Sequence, residues 1–228
     1  MTFSLHESIS PHDEYEGSEH SFYSVSVESD NAKQEMHILQ DKLRIPGTDA
    51  LIRRSRIDAL LAKSVSQFPA TLVSGRAGTG KTSIAANFAS NFNKVAWYSV
   101  ESTDISWPAF SRYFSASLPG VSGQCCNSDL KKDHEVGQAE IARYMVKNFS
   151  GYYTGGGSET TLIVLDDIHH IFDAVWFDDF FNLLLYSLPP STHLLLLCRS
   201  KPPSPLWRLR SKQMLNVLDE RVIAFNLA

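Results

Sequence analysis

Residues 75–82 read Gly75-Arg76-Ala77-Gly78-Thr79-Gly80-Lys81-Thr82, a complete G-x-x-x-x-G-K-[ST] loop. Glycine at 75, 78 and 80 permits backbone angles that side chains resist, so the N–H groups can turn inward around phosphate oxygens. Lys81 supplies a point charge for β- and γ-phosphates, and the Thr82 hydroxyl suits Mg²⁺. The setting agrees with the chemistry. Ala70-Thr71-Leu72-Val73-Ser74 ahead of the loop reads as a short buried strand, and Ser83-Ile84-Ala85-Ala86-Asn87-Phe88-Ala89 after it reads as a helix. A helix N-terminus adds its dipole to an anion site. An ordinary glycine-rich turn would require no such order. The expected contacts to a nucleoside triphosphate are therefore Gly75, Arg76, Ala77, Gly78, Thr79, Gly80, Lys81, Thr82 and Ser83, with Thr82 also a ligand to Mg²⁺.

Working outward, apolar runs alternate with helical patterns. Before the loop, Lys42-Leu43-Arg44-Ile45-Pro46-Gly47 reads as an extended lead-in, and 55–64 places Ile57, Leu60 and Leu61 at helical spacing behind Arg53, Arg54 and Arg56. After it come a strand at 94–100, a helix at 107–118 with Phe110, Tyr113, Phe114 and Leu118 on one face, and a helix at 134–149. Gly155-Gly156-Gly157 reads as a surface linker. It lacks the Lys and the following helix of a second phosphate cradle. Further strands are expected at 161–165 and 193–198, and a last one at Val222-Ile223-Ala224-Phe225. Between them lie a helix at 175–188, stopped by Pro189-Pro190, and a short helix at 208–214. Continuous apolar strands interleaved with helices predict an α/β fold: a parallel five-stranded sheet with helices on both faces.

Ligands of such sheets bind beyond the carboxyl ends of the strands. Asp166 and Asp167 follow the 161–165 strand. A hard cation wants oxygen ligands, so Asp166 is the expected Mg²⁺ carboxylate, acting through coordinated water, and Asp167 is placed to orient or deprotonate an attacking water. The competing reading is that both merely begin a loop or cap its helix. Arg199 ends the 193–198 strand, where it can sense a γ-phosphate or simply pair with a carboxylate. The expected catalytic set is Asp167, Lys81 and Arg199. His169 and His170 are adjacent and should point apart, which disfavours a shared metal and leaves His169 a structural or relay role. Trp207, Arg208 and Arg210 suggest either nucleic-acid contacts or, as favoured here, a short amphipathic helix packing its Trp.

The totals limit the classes available. The 228 residues are 43% hydrophobic with net charge −4, which gives no global basic field for nucleic acid. Residues 1–30 hold seven Asp or Glu and no Lys or Arg. With many Ser and no persistent period, residues 1–40 are expected to be a flexible, disordered acidic tail, leaving 41–228 as one nucleotide-binding domain. Cys125, Cys126 and Cys198 form no metal or disulfide spacing, so reduced thiols in a cytoplasmic protein are expected. The N-terminus is too acidic for a signal peptide, and no apolar run reaches the ~20 residues that a membrane span needs.

Together these residues resemble the STAND class of P-loop NTPases, and most nearly the ATPase domain of MalT-like, LuxR-type transcription activators. The resemblance runs over about residues 42–226. It is carried by Lys42-Leu43-Arg44 through Leu60-Leu61, by Val95-Ala96-Trp97-Tyr98-Ser99-Val100-Glu101 with Asp104, by Leu162-Ile163-Val164-Leu165-Asp166-Asp167-Ile168-His169 (a Walker B segment after the Walker A loop), and by 194–199 with Leu206-Trp207-Arg208-Leu209-Arg210. It implies that the 193–198 strand lies between the strands at 70–74 and 161–165, and that Arg54 sits near the adenine. It also implies a slow ATP-hydrolysing signal-transduction switch. The lid, winged helix, superhelical sensor and DNA-binding helix-turn-helix of those activators have no counterpart in the sequence. The expectation is therefore a protein partner or separate effector chain, no direct nucleic-acid binding and no membrane. The alternatives are a catalytically silent, nucleotide-bound interaction module or truncated regulator fragment, and an AAA-type mechanical ATPase.

Overall fold

The computed structural model describes residues 39–47, 53–118 and 160–224. Five parallel strands form one sheet among them: β1 (Ala70–Ser74), β2 (Lys94–Ser99), β3 (Thr161–Asp166), β4 (Thr192–Cys198) and β5 (Leu215–Leu218), in the order β2-β3-β4-β1-β5. The strand ending in Arg199 thus lies between the strand feeding the glycine-rich loop and the strand ending in Asp166, as expected. The helices are α1 (Ser55–Gln67), α2 (Lys81–Ala89), α3 (Trp107–Ser117), α4 (Phe177–Ser187), α5 (Ser204–Ser211) and the short α6 (Glu220–Ile223).

Successive strand side chains point to opposite faces, so each buried strand feeds two cores. On one face Leu162, Val164, Leu195 and Leu197 meet Ile57 and Leu61 of α1 and Ile84 and Phe88 of α2. On the other, Ile163, Leu165, Leu194 and Leu196 meet Phe110 of α3, Phe180 of α4 and Leu206 of α5. Phe110 is fully buried, and the rings of Tyr98, Trp107, Phe114, Trp176 and Phe180 surround it at centroid distances of 4.6–6.2 Å. The lead-in is anchored here as well. Lys42, itself buried, donates to both Asp104 oxygens at 2.9 and 3.0 Å, pairs with Glu101 at 2.9 Å and lies 4.6 Å from the Tyr113 ring centroid.

A polar network closes the opposite end of the sheet. His193 Nε2 lies 2.9 Å from the Thr71 hydroxyl and Nδ1 lies 3.0 Å from the Phe68 carbonyl. Thr71 continues to Ser64 at 2.5 Å, and Asn216 donates to Ser64 at 2.9 Å. Burial pushes the His193 pKa down from 6.5 to about 4, the Phe68 carbonyl opposing the drop. The unfolded chain therefore takes up this proton first, and stability falls as pH drops through the window from 6.5 to about 4. Linkage gives a loss of about 2 kcal/mol between about pH 7 and about pH 5. Urea titrations at those two pH values should show it, and His193→Asn should flatten the difference; an equal slope in the variant would assign the loss to other groups.

Several elements depart from the sequence reading. The last strand is Leu215–Leu218, not 222–225. Asp219 accepts hydrogen bonds from the Arg221 and Val222 amides, and that cap turns the chain into α6 despite the β-branched Val222-Ile223. Helix α5 begins at Ser204 rather than 208, since Pro205 fits a first helical turn, and Gln213 in the left-handed region (φ 58°) follows its end. Its Trp207 is 40% exposed, with Leu206 and Leu209 as the buried anchors, so the helix does not pack on its Trp. The lead-in opens with a 3-10 turn, Gln40–Leu43, before becoming extended. Helix α4 starts at Phe177, leaving Val175 exposed. The expectations for the tail over 1–38, the helix at 134–149, the triple glycine, Cys125, Cys126 and Phe225 fall outside the described residues.

Candidate functional site

Strand β1 runs straight into the loop, where Gly78 (φ 80°) and Gly80 (φ 82°) take left-handed angles. The Ile84 amide donates to the Gly80 carbonyl at 2.8 Å, so α2 begins at Lys81, two residues earlier than expected. Lys81 and Thr82 therefore issue from the first helical turn, among the unbonded amides that favour anions. Lys81 is buried, and its ammonium donates to the carbonyls of Gly75 (2.7 Å) and Arg76 (2.9 Å). Burial lowers its pKa; Asp167 and Asp166 oppose the drop and Arg199 adds to it.

Strand β3 brings Asp166 to the same edge. The Thr82 hydroxyl donates to Asp166 Oδ2 at 2.7 Å, and the Asp167 amide donates to Asp166 Oδ1 at 2.9 Å. Burial raises the Asp166 pKa, with the Thr82 hydrogen bond opposing it. Asp167 follows at φ 54°, a left-handed conformation that Asp tolerates better than most residues. That geometry turns its carboxylate toward β4, where Arg199 grips it through Nε at 2.9 Å and Nη2 at 2.6 Å. Two of the expected catalytic residues thus hold each other. His169 Nδ1 stands 3.8 Å from Asp167 Oδ1 without a hydrogen-bond partner among the described residues. Burial lowers the His169 pKa, His170 adding to the effect. The two imidazoles do not diverge: both sit in the 3-10 turn Ile168–Ile171, with centroids 4.2 Å apart.

Arg54 precedes α1 and reaches the loop, donating to the Thr79 carbonyl at 3.4 Å and to the Ile223 carbonyl. Arg76 is exposed and grips Glu220, a residue that the sequence reading missed. The signal was available in Asp219-Glu220, a cap and a first-turn acid, but the apolar run behind them outweighed it. Ser83 follows Thr82 in α2, and among the described residues no side-chain hydrogen bond brings it into this cluster. A cavity of about 450 Å³ opens at the opposite edge of the sheet, between Phe68, Phe92, Leu188 and Thr192, away from all of these groups.

Comparison with known proteins places the chain beside a group of transcriptional regulators. The HTH-type transcriptional regulator MalT of Serratia proteamaculans is 30% identical over 172 residues, which are 74% of this chain and 18% of that protein. The chain carries a MalT-like P-loop NTPase core. MalT of Yersinia enterocolitica is 27% identical over 172 residues, 74% of this chain and 19% of that protein. The chain therefore spans less than a fifth of the length of these relatives, and the likeness concerns the MalT-like core alone. No family model matches. A chain from a Drosophila ORC assembly bound to AT-rich DNA and Cdc6 superimposes with a TM-score of 0.49 at 11% identity, over 73% of this chain and 53% of that one. The fold of the MalT-like core is defined by its own strand order. No helix among the described residues is long and apolar enough to cross a membrane.

Proposed function

We propose that the MalT-like core binds ATP with Mg²⁺ across residues 75–83 and serves as a slowly hydrolysing signal-transduction switch of the STAND type, the NTPase unit of a transcription regulator. The observation that carries this reading is the 2.7 Å hydrogen bond between Thr82 and Asp166, which ties the glycine-rich loop to the carboxylate at the end of β3. Hydroxyl and carboxylate oxygens side by side are the donor set a hard cation selects, so Thr82 and Asp166 would hold Mg²⁺, Asp166 through water. Mg²⁺ supplies charge neutralisation for the phosphates. Lys81 binds the β- and γ-phosphates, Asp167 orients the attacking water, and Arg199 stabilises charge on the γ-phosphate. Arg54, which donates to the Thr79 carbonyl, is assigned to the adenine by the family resemblance. A switch needs differential affinity between states rather than rapid turnover, and a protein partner reads the state.

Calorimetry with Mg-ATP tests the binding, and absence of heat at millimolar nucleotide would end the proposal. Single-turnover hydrolysis of labelled ATP tests the chemistry. Asp167→Asn should keep binding and slow turnover by on the order of 10²-fold, the scale of a lost general base; unchanged turnover would remove that role. One observation favours a second reading. The bidentate Arg199–Asp167 pair occupies both groups, as a catalytically silent, nucleotide-bound module would require. Binding without turnover in the wild type selects that reading.

A further inference from the structure

The described chain ends at a turn held on two sides by the glycine-rich loop and the start of α1. Glu220, first residue of α6, takes Arg76 Nε at 2.9 Å and Nη2 at 2.8 Å on Oε1. Its Oε2 accepts the Arg76 backbone amide at 3.2 Å. That amide belongs to the row of loop donors from which a phosphate cradle is built, yet here it faces a carboxylate. The approach is close throughout: a methyl group at Gly75 would stand 3.1 Å from Ile223 Cδ1 and 3.4 Å from Glu220 Cβ. Arg54 bridges the Thr79 and Ile223 carbonyls, and Arg56 donates to the carbonyls of Val222 (2.7 Å) and Ala224 (3.1 Å).

We propose that Glu220 is a tethered competitor of the nucleotide: its carboxylate and the phosphates of a bound nucleoside triphosphate draw on the same Arg76 guanidinium and loop amide, so that filling the loop and seating the 219–224 turn oppose each other. The inference rests on the ATP reading above and names its regulation. An anion already present at the loop must be displaced or repelled when a second one enters. The Arg76 hydrogen bonds hold the Glu220 carboxyl below its usual pKa, with Lys81 adding to the effect, so the competing group is ionised at neutral pH. Coupling of this kind is reciprocal: whatever loosens the turn strengthens nucleotide binding, and nucleotide loosens the turn by the same factor. The pair is exposed, which keeps the factor modest and salt-dependent. Glu220 acts through the Arg76 guanidinium and amide and is a positioning residue.

The test uses the full 228-residue chain and Mg-ATP calorimetry at low ionic strength. E220Q keeps the side-chain shape and should bind about 3- to 10-fold more tightly. In an R76Q background the gain should shrink, because only the contact to the backbone amide of residue 76 and the charge repulsion remain, and about 0.5 M KCl should erase it. Hydrogen exchange of the peptide spanning 219–224 should quicken with Mg-ATP in the wild type and not in E220Q. Equal or weaker binding by E220Q, a gain undiminished by R76Q or by salt, or unchanged exchange in the wild type would overturn the competition while leaving nucleotide binding intact. If neither protein binds Mg-ATP, the ATP reading fails and the competition with it.

Discussion

Lys81→Ala is expected to weaken Mg-ATP binding by about 10²- to 10³-fold, the largest functional effect of any single substitution here. A charge-assisted hydrogen bond contributes about 1.5–3 kcal/mol, and Lys81 has two phosphates within its intended reach, in a site where burial limits screening. The ammonium is buried, and its present partners, the Gly75 and Arg76 carbonyls, show that it points along the inside of the loop. Because the alkyl stem is also buried, alanine removes packing together with charge. Lys81→Met restores the stem and should lose as much affinity while recovering thermal stability. Calorimetry on the three proteins separates the terms. Binding within twofold of wild type in both variants would show that Lys81 is not the phosphate ligand, and the assignment of the whole loop would fall with it.

How much of this was readable in the residues differs by element. The residues give β1 its exact bounds, and β3 and β4 theirs to within one residue, because each holds a short, mainly apolar stretch bounded by polar or turn residues. The order of the strands did not follow from periodicity; it came with the family resemblance, and the register confirms it. The meeting of Thr82 with Asp166 followed from a general property of parallel sheets, in which strand ends converge on one edge. What escaped was decided by local bonds that no pattern displays. Val222-Ile223 has strand composition, but the Asp219 side chain satisfies two amides at once and commits the segment to a helical turn. The strand that β5 supplies instead is four residues at a sheet edge with a half-exposed middle, too short to show a period.

The site shows the same division. Loop residues and both aspartates were legible because their chemistry fixes their order in the chain. Partnerships were not: the sequence leaves Arg199 open to a phosphate or to a carboxylate, and the left-handed Asp167 gives it the ion pair in this geometry. These readings are compatible. A guanidinium held 2.6 Å from Asp167 stands at the edge where a γ-phosphate would arrive, and a competing anion can draw it away. The Arg76–Glu220 pair repeats that arrangement on the other side of the loop, so each flank of the expected phosphate position carries an arginine already engaged by a carboxylate.

Phe110→Ala should have the largest effect on stability, a loss of about 3–5 kcal/mol, a large share of the 5–15 kcal/mol that holds a domain of this kind together. Phe110 is fully buried, and α3 has little else so central: five aromatic rings from β2, α3, α4 and the segment before α4 surround it. Removing it leaves a cavity whose walls are rigid rings, which collapse poorly and raise the cost toward the upper end. Equilibrium unfolding in urea measures the change; Phe110→Leu, which refills part of the volume, should lie well below it and keeps the comparison available if the alanine variant does not fold. Trp207→Ala is the counterpart. Trp207 is larger but 40% exposed on α5, with the Arg210 guanidinium 5.2 Å from its ring centroid, so its loss should cost less than about 1 kcal/mol. A Trp207 penalty matching that of Phe110 would mean that α5 is anchored by its tryptophan after all, and that the assignment of Leu206 and Leu209 as its buried contacts is wrong.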